Sequence, residues 1–246
     1  MGLFCLFTSF LLGQNQKTAD SLIGIYESGS YEQSEIEILN SIIVEGTDPK
    51  SLLTYSNLLI EKAAKDSLFQ ELQKGYLQKG NAHQYMGDNV EALESFFKSL
   101  EYAQKEENDL SIGAVMIAIA GAYTSMDNRK NALRFFKEGI EILRKTNDSV
   151  KIGTALLNAG DEYFNMGKLD SALIFTNESI IMFQNIDFKI GEAYGLGNTG
   201  MIYAELGNDE LAEEKISESI KILENLEDFY GRFPAAPARL EELMQC

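Results

Sequence analysis

Residues 157–172 read LNAGDEYFNMGKLDSA, and this stretch decides the fold because its key residues recur every 40 positions. Gly160 has counterparts at Gly80, Ala120 and Gly200, and three places on Tyr163 is matched by His83, Tyr123 and Tyr203. Gly167 falls in a column with Gly87, Asp127 and Gly207, and Ala172 in one with Ala92, Ala132 and Ala212, with Leu52 in the same phase one period earlier. An aliphatic column, Ile60, Leu100, Ile140, Ile180 and Ile220, closes each unit. Self-similarity at a fixed period marks a repeat architecture, in which each unit buries its apolar face only by stacking on its neighbours.

Each unit reads as two helices. In YLQKGNAHQYMGD (76–88), Gly80 lets a neighbouring helix come close and His83, or Tyr in the other units, fills the space beyond it. Gly87 and its equivalents end the first helix, where a left-handed residue is needed. Polar residues follow (Asp88 and Asn89; Asn128; Lys168 and Asp170; Asn208 and Asp209), several of which can cap the second helix. That helix then carries apolar residues at helical spacing, as in Ala92, Leu93, Phe96, Phe97 and Leu100. The expected fold is all-α: a right-handed α-solenoid of antiparallel helix hairpins.

The pattern GxxY-x3-G-x4-A, carried by Gly160, Tyr163, Gly167 and Ala172, resembles the tetratricopeptide repeat. The resemblance spans residues 33–226 as five units, 33–68, 69–108, 109–148, 149–188 and 189–226, the first of them degenerate. The period exceeds the usual one of about 34 residues, and the added length is expected in the helices near segments such as Glu106–Ser111 and Lys145–Val150. The longer form is similar to the repeats of kinesin light chains, of spindle-orientation adaptors and of sensor regions in bacterial regulators. Residues 14–32 read as a preceding amphipathic helix or decayed half-repeat, since GSYEQSEI (29–36) echoes a turn and the start of a second helix. Residues 227–246, interrupted by Pro234 and Pro237, form a tail or a short capping helix.

Composition narrows the function. Acidic residues outnumber basic ones 38 to 21, a net charge of −17, so the surface repels nucleic-acid phosphates and anionic lipid headgroups. The two cysteines, Cys5 and Cys246, stand at opposite ends, and a single histidine excludes a His-rich metal site. No cofactor or metal is expected. The apolar run LFCLFTSFLL (3–12) is too short to span a bilayer but matches the core of a secretory signal in residues 1–13. Export, periplasmic in a bacterial host, is the expectation; a cytoplasmic chain whose first segment caps the fold is the alternative.

The resemblance implies that the first helices of successive units line a concave surface. Counting in phase, the inward positions are Lys74, Gln78, Asn81 and Tyr85, then Thr124, then Asn158, Asp161 and Asn165, and finally Tyr194, Asn198 and Glu205. Asn158 and Asn198 share one column, and an asparagine amide both donates to a carbonyl and accepts from an N–H of one peptide unit. In the long-repeat adaptors such asparagines hold an extended chain by its backbone; the competing reading is that each bridges neighbouring first helices. The Lys/Arg clamp of chaperone-binding members is missing, with Leu77, Asn81, Thr154 and Asn158 in its place, whereas Asp161 and Glu205 favour a neutral to basic peptide.

Catalytic signatures dissolve on inspection. GLGNTG (195–200) satisfies G-x-G-x-x-G, but KIGEAY before it is helical in pattern and Gly200 belongs to the repeat column. His83 stands where the other units have tyrosine, which makes it a packing residue. Glu106–Glu107, Glu213–Glu214 and Glu241–Glu242 are adjacent on helices and point apart. The expected function is a non-enzymatic scaffold that binds a protein or peptide segment in the groove; self-association through end repeats is a further expectation. The alternative is the sensor region of a bacterial signalling protein (cyclase, kinase or transcription regulator) without its output domain.

Overall fold

The computed structural model describes residues 12–31 and 34–230, which hold eleven α-helices and no strand. The signal-like residues 1–11 and the tail beyond 230 lie outside the described residues. The chain divides into two compact units, one ending at Asp148 and the other beginning its helices at Ser149.

In the first unit, α1 (Leu12–Ser28) precedes α2 (Glu35–Glu45) and α3 (Pro49–Lys65). Local chemistry sets both starts. Ser34 and Glu37 form a reciprocal capping box, Ser34 N donating to Glu37 Oε2 at 2.9 Å and Glu37 N to Ser34 Oγ at 3.3 Å. Asp48 accepts from Ser51 N at 2.8 Å just ahead of Pro49. Polar contacts fasten α1 at both ends. Gln16 Oε1 accepts from Thr47 N, Thr47 Oγ1 and Asp48 N at 2.8, 2.6 and 2.8 Å. At the other end Tyr55 donates to Glu27 at 3.1 Å and Tyr26 to Glu35 at 3.0 Å. Burial, then the Glu27 contact, pushes the Tyr55 phenol up to about 12.

Two full hairpins complete this unit: α4 (Phe69–Met86) with α5 (Asn89–Lys105), and α6 (Asp109–Ser125) with α7 (Arg129–Leu143). The second unit repeats the plan with α8 (Ser149–Asn165) and α9 (Leu169–Asn185), then α10 (Lys189–Glu205) and α11 (Asp209–Tyr230). Turns of two or three residues separate the helices of each hairpin, so the added length of the repeat resides in the helices.

The turn column behaves as its residues dictate: φ is +85° at Gly87, +55° at Asp127, +69° at Gly167 and +74° at Gly207. A second left-handed column, not evident from residue type, lies between hairpins at Ser67, Glu107 and Asp187, with φ of 54°, 50° and 54°. There the next amide returns to the preceding helix, as in Asn108 N to Ala103 O at 3.2 Å and Phe188 N to Phe183 O at 2.9 Å. Of the potential caps, Asn128 accepts from Asn131 N at 3.4 Å and Asn208 from Leu211 N at 3.3 Å. Asp88 and Lys168 make no capping bond from their side chains.

Within each hairpin the close-approach column works by contact. A Cβ on Gly80 would stand 2.4 Å from the Phe96 ring, and one on Gly200 2.6 Å from Ile216 Cγ1. A further repeated device is a hydroxyl on the second helix that donates to a carbonyl of the first. Ser99 bonds Gln73 O at 2.8 Å, Ser179 bonds Gly153 O at 2.8 Å and Ser219 bonds Ala193 O at 2.7 Å. These oxygens are buried, so each contact satisfies a polar group that would otherwise weaken the core.

Candidate functional site

The inward face of α4 follows from what its other sides do. A Cβ on Gly75 would meet Ile60 of α3 at 2.8 Å, which turns that side toward α3, while Gly80 faces Phe96 and Gln73 Nε2 donates to Ser99 of α5 at 3.2 Å. Lys74, Gln78, Asn81 and Tyr85 fall within about 60° of one another on the helix, between those flanks. The first three are half-buried and Tyr85 is exposed. Asn81 Nδ2 donates to Gln78 Oε1 at 2.9 Å along the helix. Thr124 is half-buried near the end of α6.

In the second unit the inward residues of α8 and α10 come together. Asn198 Nδ2 donates to Asp161 Oδ1 at 3.2 Å, across 37 residues of chain, and so bridges two first helices. Asn198 is only 3% exposed, and its Oδ1 is buried without a hydrogen bond. Asn158, in the same column one unit earlier, is half-buried. Tyr194 lies one turn before Asn198, and burial raises its phenol pKa. Asn165 and Glu205 are exposed toward the turn ends of α8 and α10. The geometry therefore joins Asp161 and Asn198 directly and leaves one amide oxygen with no donor. Sequence spacing placed both residues inward, but it carried no signal for the pairing, because the two positions are offset by three residues in repeat phase.

Two of the motifs set aside on sequence grounds have a structural counterpart. GLGNTG lies inside α10 and not at a strand-to-helix turn. His83 packs with 14% of its side chain exposed, its Nδ1 3.5 Å from Asp88 Oδ2. Among the described residues no helix is long and apolar enough to cross a membrane.

Residues 72–145, which hold most of the hairpins α4–α5 and α6–α7, match the tetratricopeptide repeat family model. No curated protein sequence matches the chain. Solved structures extend the likeness of fold over most of it. BtubC (BKLC) from P. vanneervenii is similar at a TM-score of 0.64 with 13% identity, over 92% of this chain and 94% of that one. A STAND signal-transduction ATPase with a tetratricopeptide repeat sensor, from Pyrococcus horikoshii, gives a TM-score of 0.70 at 17% identity, over 85% of this chain and 35% of that one. A Rap protein complexed with competence and sporulation factor gives 0.68 at 16% identity, over 90% and 73%. The architecture is thus all-α and tetratricopeptide-like, a fold generally used as a non-catalytic scaffold for binding proteins or peptides.

Proposed function

We propose that this chain is a non-enzymatic scaffold that binds an extended, neutral to basic protein or peptide segment along the inward faces of its first helices. The observation that carries the reading is the polar pair on α8 and α10, where Asn198 gives its N–H to Asp161 and keeps an acceptor oxygen without a donor. Asn198 is buried and so orients its partner, and the half-buried Asp161 is the group of the pair that a backbone N–H or a cationic side chain of an entering segment meets. Rigid helices hold these groups in place, so binding costs little ordering of the scaffold.

Selection of peptides from a displayed random library on the immobilised protein, followed by titration of the winners, tests it. Replacing Asn158 and Asn198 together by Ala is expected to weaken those peptides about tenfold or more, the loss of one charge-assisted contact. Unchanged affinity in a variant with an unaltered melting curve removes the amide pair from the site.

A sensor role within a larger signalling protein is the second reading. It is favoured by the match of 85% of this chain to 35% of the sensor-bearing ATPase. An open reading frame continuing past Cys246 into an output domain is the finding expected for it.

A further inference from the structure

The second helix of a hairpin keeps one flank for the hairpin that follows. On α9 that flank is Leu173, Ile180 and Gln184, which lie within about 40° of one another around the helix. A Cβ on Gly195 of α10 would meet Ile180 Cγ1 at 2.5 Å, and Gln184 Nε2 donates to Glu192 Oε1 at 2.8 Å. On α3, Ile60 meets Gly75 of α4 in the same way, at 2.8 Å. In α11 the same three positions are Glu213, Ile220 and Glu224, and among the described residues no helix follows to cover them. We propose that this flank of α11 is a second recognition site, which takes a basic amphipathic helix from a partner protein.

The apolar part of the flank is left half-wet. Ser56, Phe96 and Thr176 share a column with Ile216, and Ala63, Ala103 and Phe183 share one with Leu223; all six are fully buried. Ile216, Leu223 and Ile220 are only half-buried, so a covering helix takes three aliphatic side chains the rest of the way out of water. Charge says which helix. The column of Glu213 holds Leu53, Leu93, Leu133 and Leu173 in the earlier units, and that of Glu224 holds Ala64, Gln104, Arg144 and Gln184. Both glutamates are exposed and without an ion pair among the described residues. Nearby cations do not cancel them. Lys215 is spent on Glu214 and Glu218 at 2.9 and 3.2 Å, and Lys189 of α10 on Asp187 and Glu192 at 3.2 and 3.0 Å. Lys221 lies about 100° round the helix from Ile220. Asp209–Tyr230 carries eight carboxylates and two lysines, so the flank stays negative however its neighbours are counted.

Other occupants answer the charge less well. A second copy of this chain on a twofold axis sets the same carboxylates against each other. Residues 231–246 offer Arg232 and Arg239 but also Glu241 and Glu242. The contact of α9 with α10 supplies the spacing for a partner. Glu192, which meets Gln184, stands three residues before Gly195; a lysine or arginine there meets Glu224 instead. The two helices run antiparallel, so a second basic residue about two turns beyond the small one meets Glu213. The fitting helix thus has a glycine or alanine over Ile220, aliphatic neighbours, and a cation toward each end. The site goes beyond the inward-face reading and stands on different residues.

The probe is a fluorescein-labelled alanine–leucine helix of about five turns, with a central Gly, one Lys three residues before it and another seven after. Its control carries Glu in place of both lysines. Fluorescence anisotropy is read on the full chain at roughly physiological salt, where distant charges are screened. The Lys probe is expected to bind about tenfold more tightly than the Glu probe. The exposed double variant E213K/E224K is expected to reverse that order, while E91K/E94K, the same charge change on α5, keeps it. Equal binding of the two probes, or a reversal in E91K/E94K as well, overturns the site. A loss confined to the Asn158/Asn198 variant also overturns it and assigns the probe to the inward face. Tighter binding in Leu240→Ser/Leu243→Ser gives the flank to the chain's own last residues, and a dimer that the probe dissociates gives it to a second copy; either result overturns the proposal.

Discussion

The hairpin of α4 and α5 and the hairpin of α8 and α9 share a backbone plan and fill it in opposite ways. In the first, bulk sits toward the turn: Phe96 is fully buried against Gly80, while the far end holds the buried Gln73 and small Ala103. In the second, Thr176 takes the place of Phe96 against Gly160, and the bulk moves to the far end. There Phe183, fully buried, lies where a Cβ on Gly153 would meet it at 2.6 Å and one on Gly191 at 2.7 Å. The hairpin of α6 and α7 fills both places, with Phe136 buried toward the turn and Leu143 against Gly113 at the far end. The bulky side chain changes place along the hairpin, so the repeat prescribes where helices approach and not which side chain fills the approach.

The largest break in that comparison comes from removing the displaced bulk. Phe183→Ala and Phe96→Ala are each expected to cost about 3–5 kcal/mol in urea unfolding, since both rings are fully buried between helices. Next is overpacking: Gly153→Ala places a methyl against the Phe183 ring and is expected to cost about 1–3 kcal/mol. Combining it with Phe183→Ala, which removes the ring the methyl meets, is expected to cost less than the sum of the two, and a double-mutant cycle reads that coupling directly. Smaller is the hydroxyl tie, at about 1 kcal/mol per Ser→Ala. Ser99→Ala is expected to exceed Ser179→Ala in thermal melts, because Ser99 also accepts from Gln73 Nε2 at 3.2 Å. Thr176→Val is expected to have the smallest effect and the opposite sign. The Thr176 hydroxyl is buried without a hydrogen bond, so its removal raises stability by up to about 1 kcal/mol.

The columns that announced the hairpins also announced their turns. Gly87, Gly167 and Gly207 are glycine for the φ they adopt, and Asp127 shows that the position demands the conformation even from another residue. The matching column at Ser67, Glu107 and Asp187 escaped notice because three different residue types occupy it. Their shared conformation comes from the helix end and not from the side chain. The serine ties were equally hidden: Ser99, Ser179 and Ser219 recur in phase, yet Gly139 interrupts the column, and a serine at helical spacing is commonplace. At the candidate site, spacing placed Asn198 and Asp161 on inward faces. It did not say that they bond each other.

What the amino-acid order determined alone is what depends on phase: the two helices of each unit, their apolar sides and the left-handed turn between them. Phase is a local property, fixed by 3.6 residues per turn and by which residues tolerate a positive φ. Only the tertiary structure decided which polar atoms are spent and which are left over, as with the Asn198 amide, whose N–H meets Asp161 while its oxygen has no donor. Those outcomes turn on distances of a few tenths of an ångström between helices remote in sequence, where a hydrogen bond forms or fails.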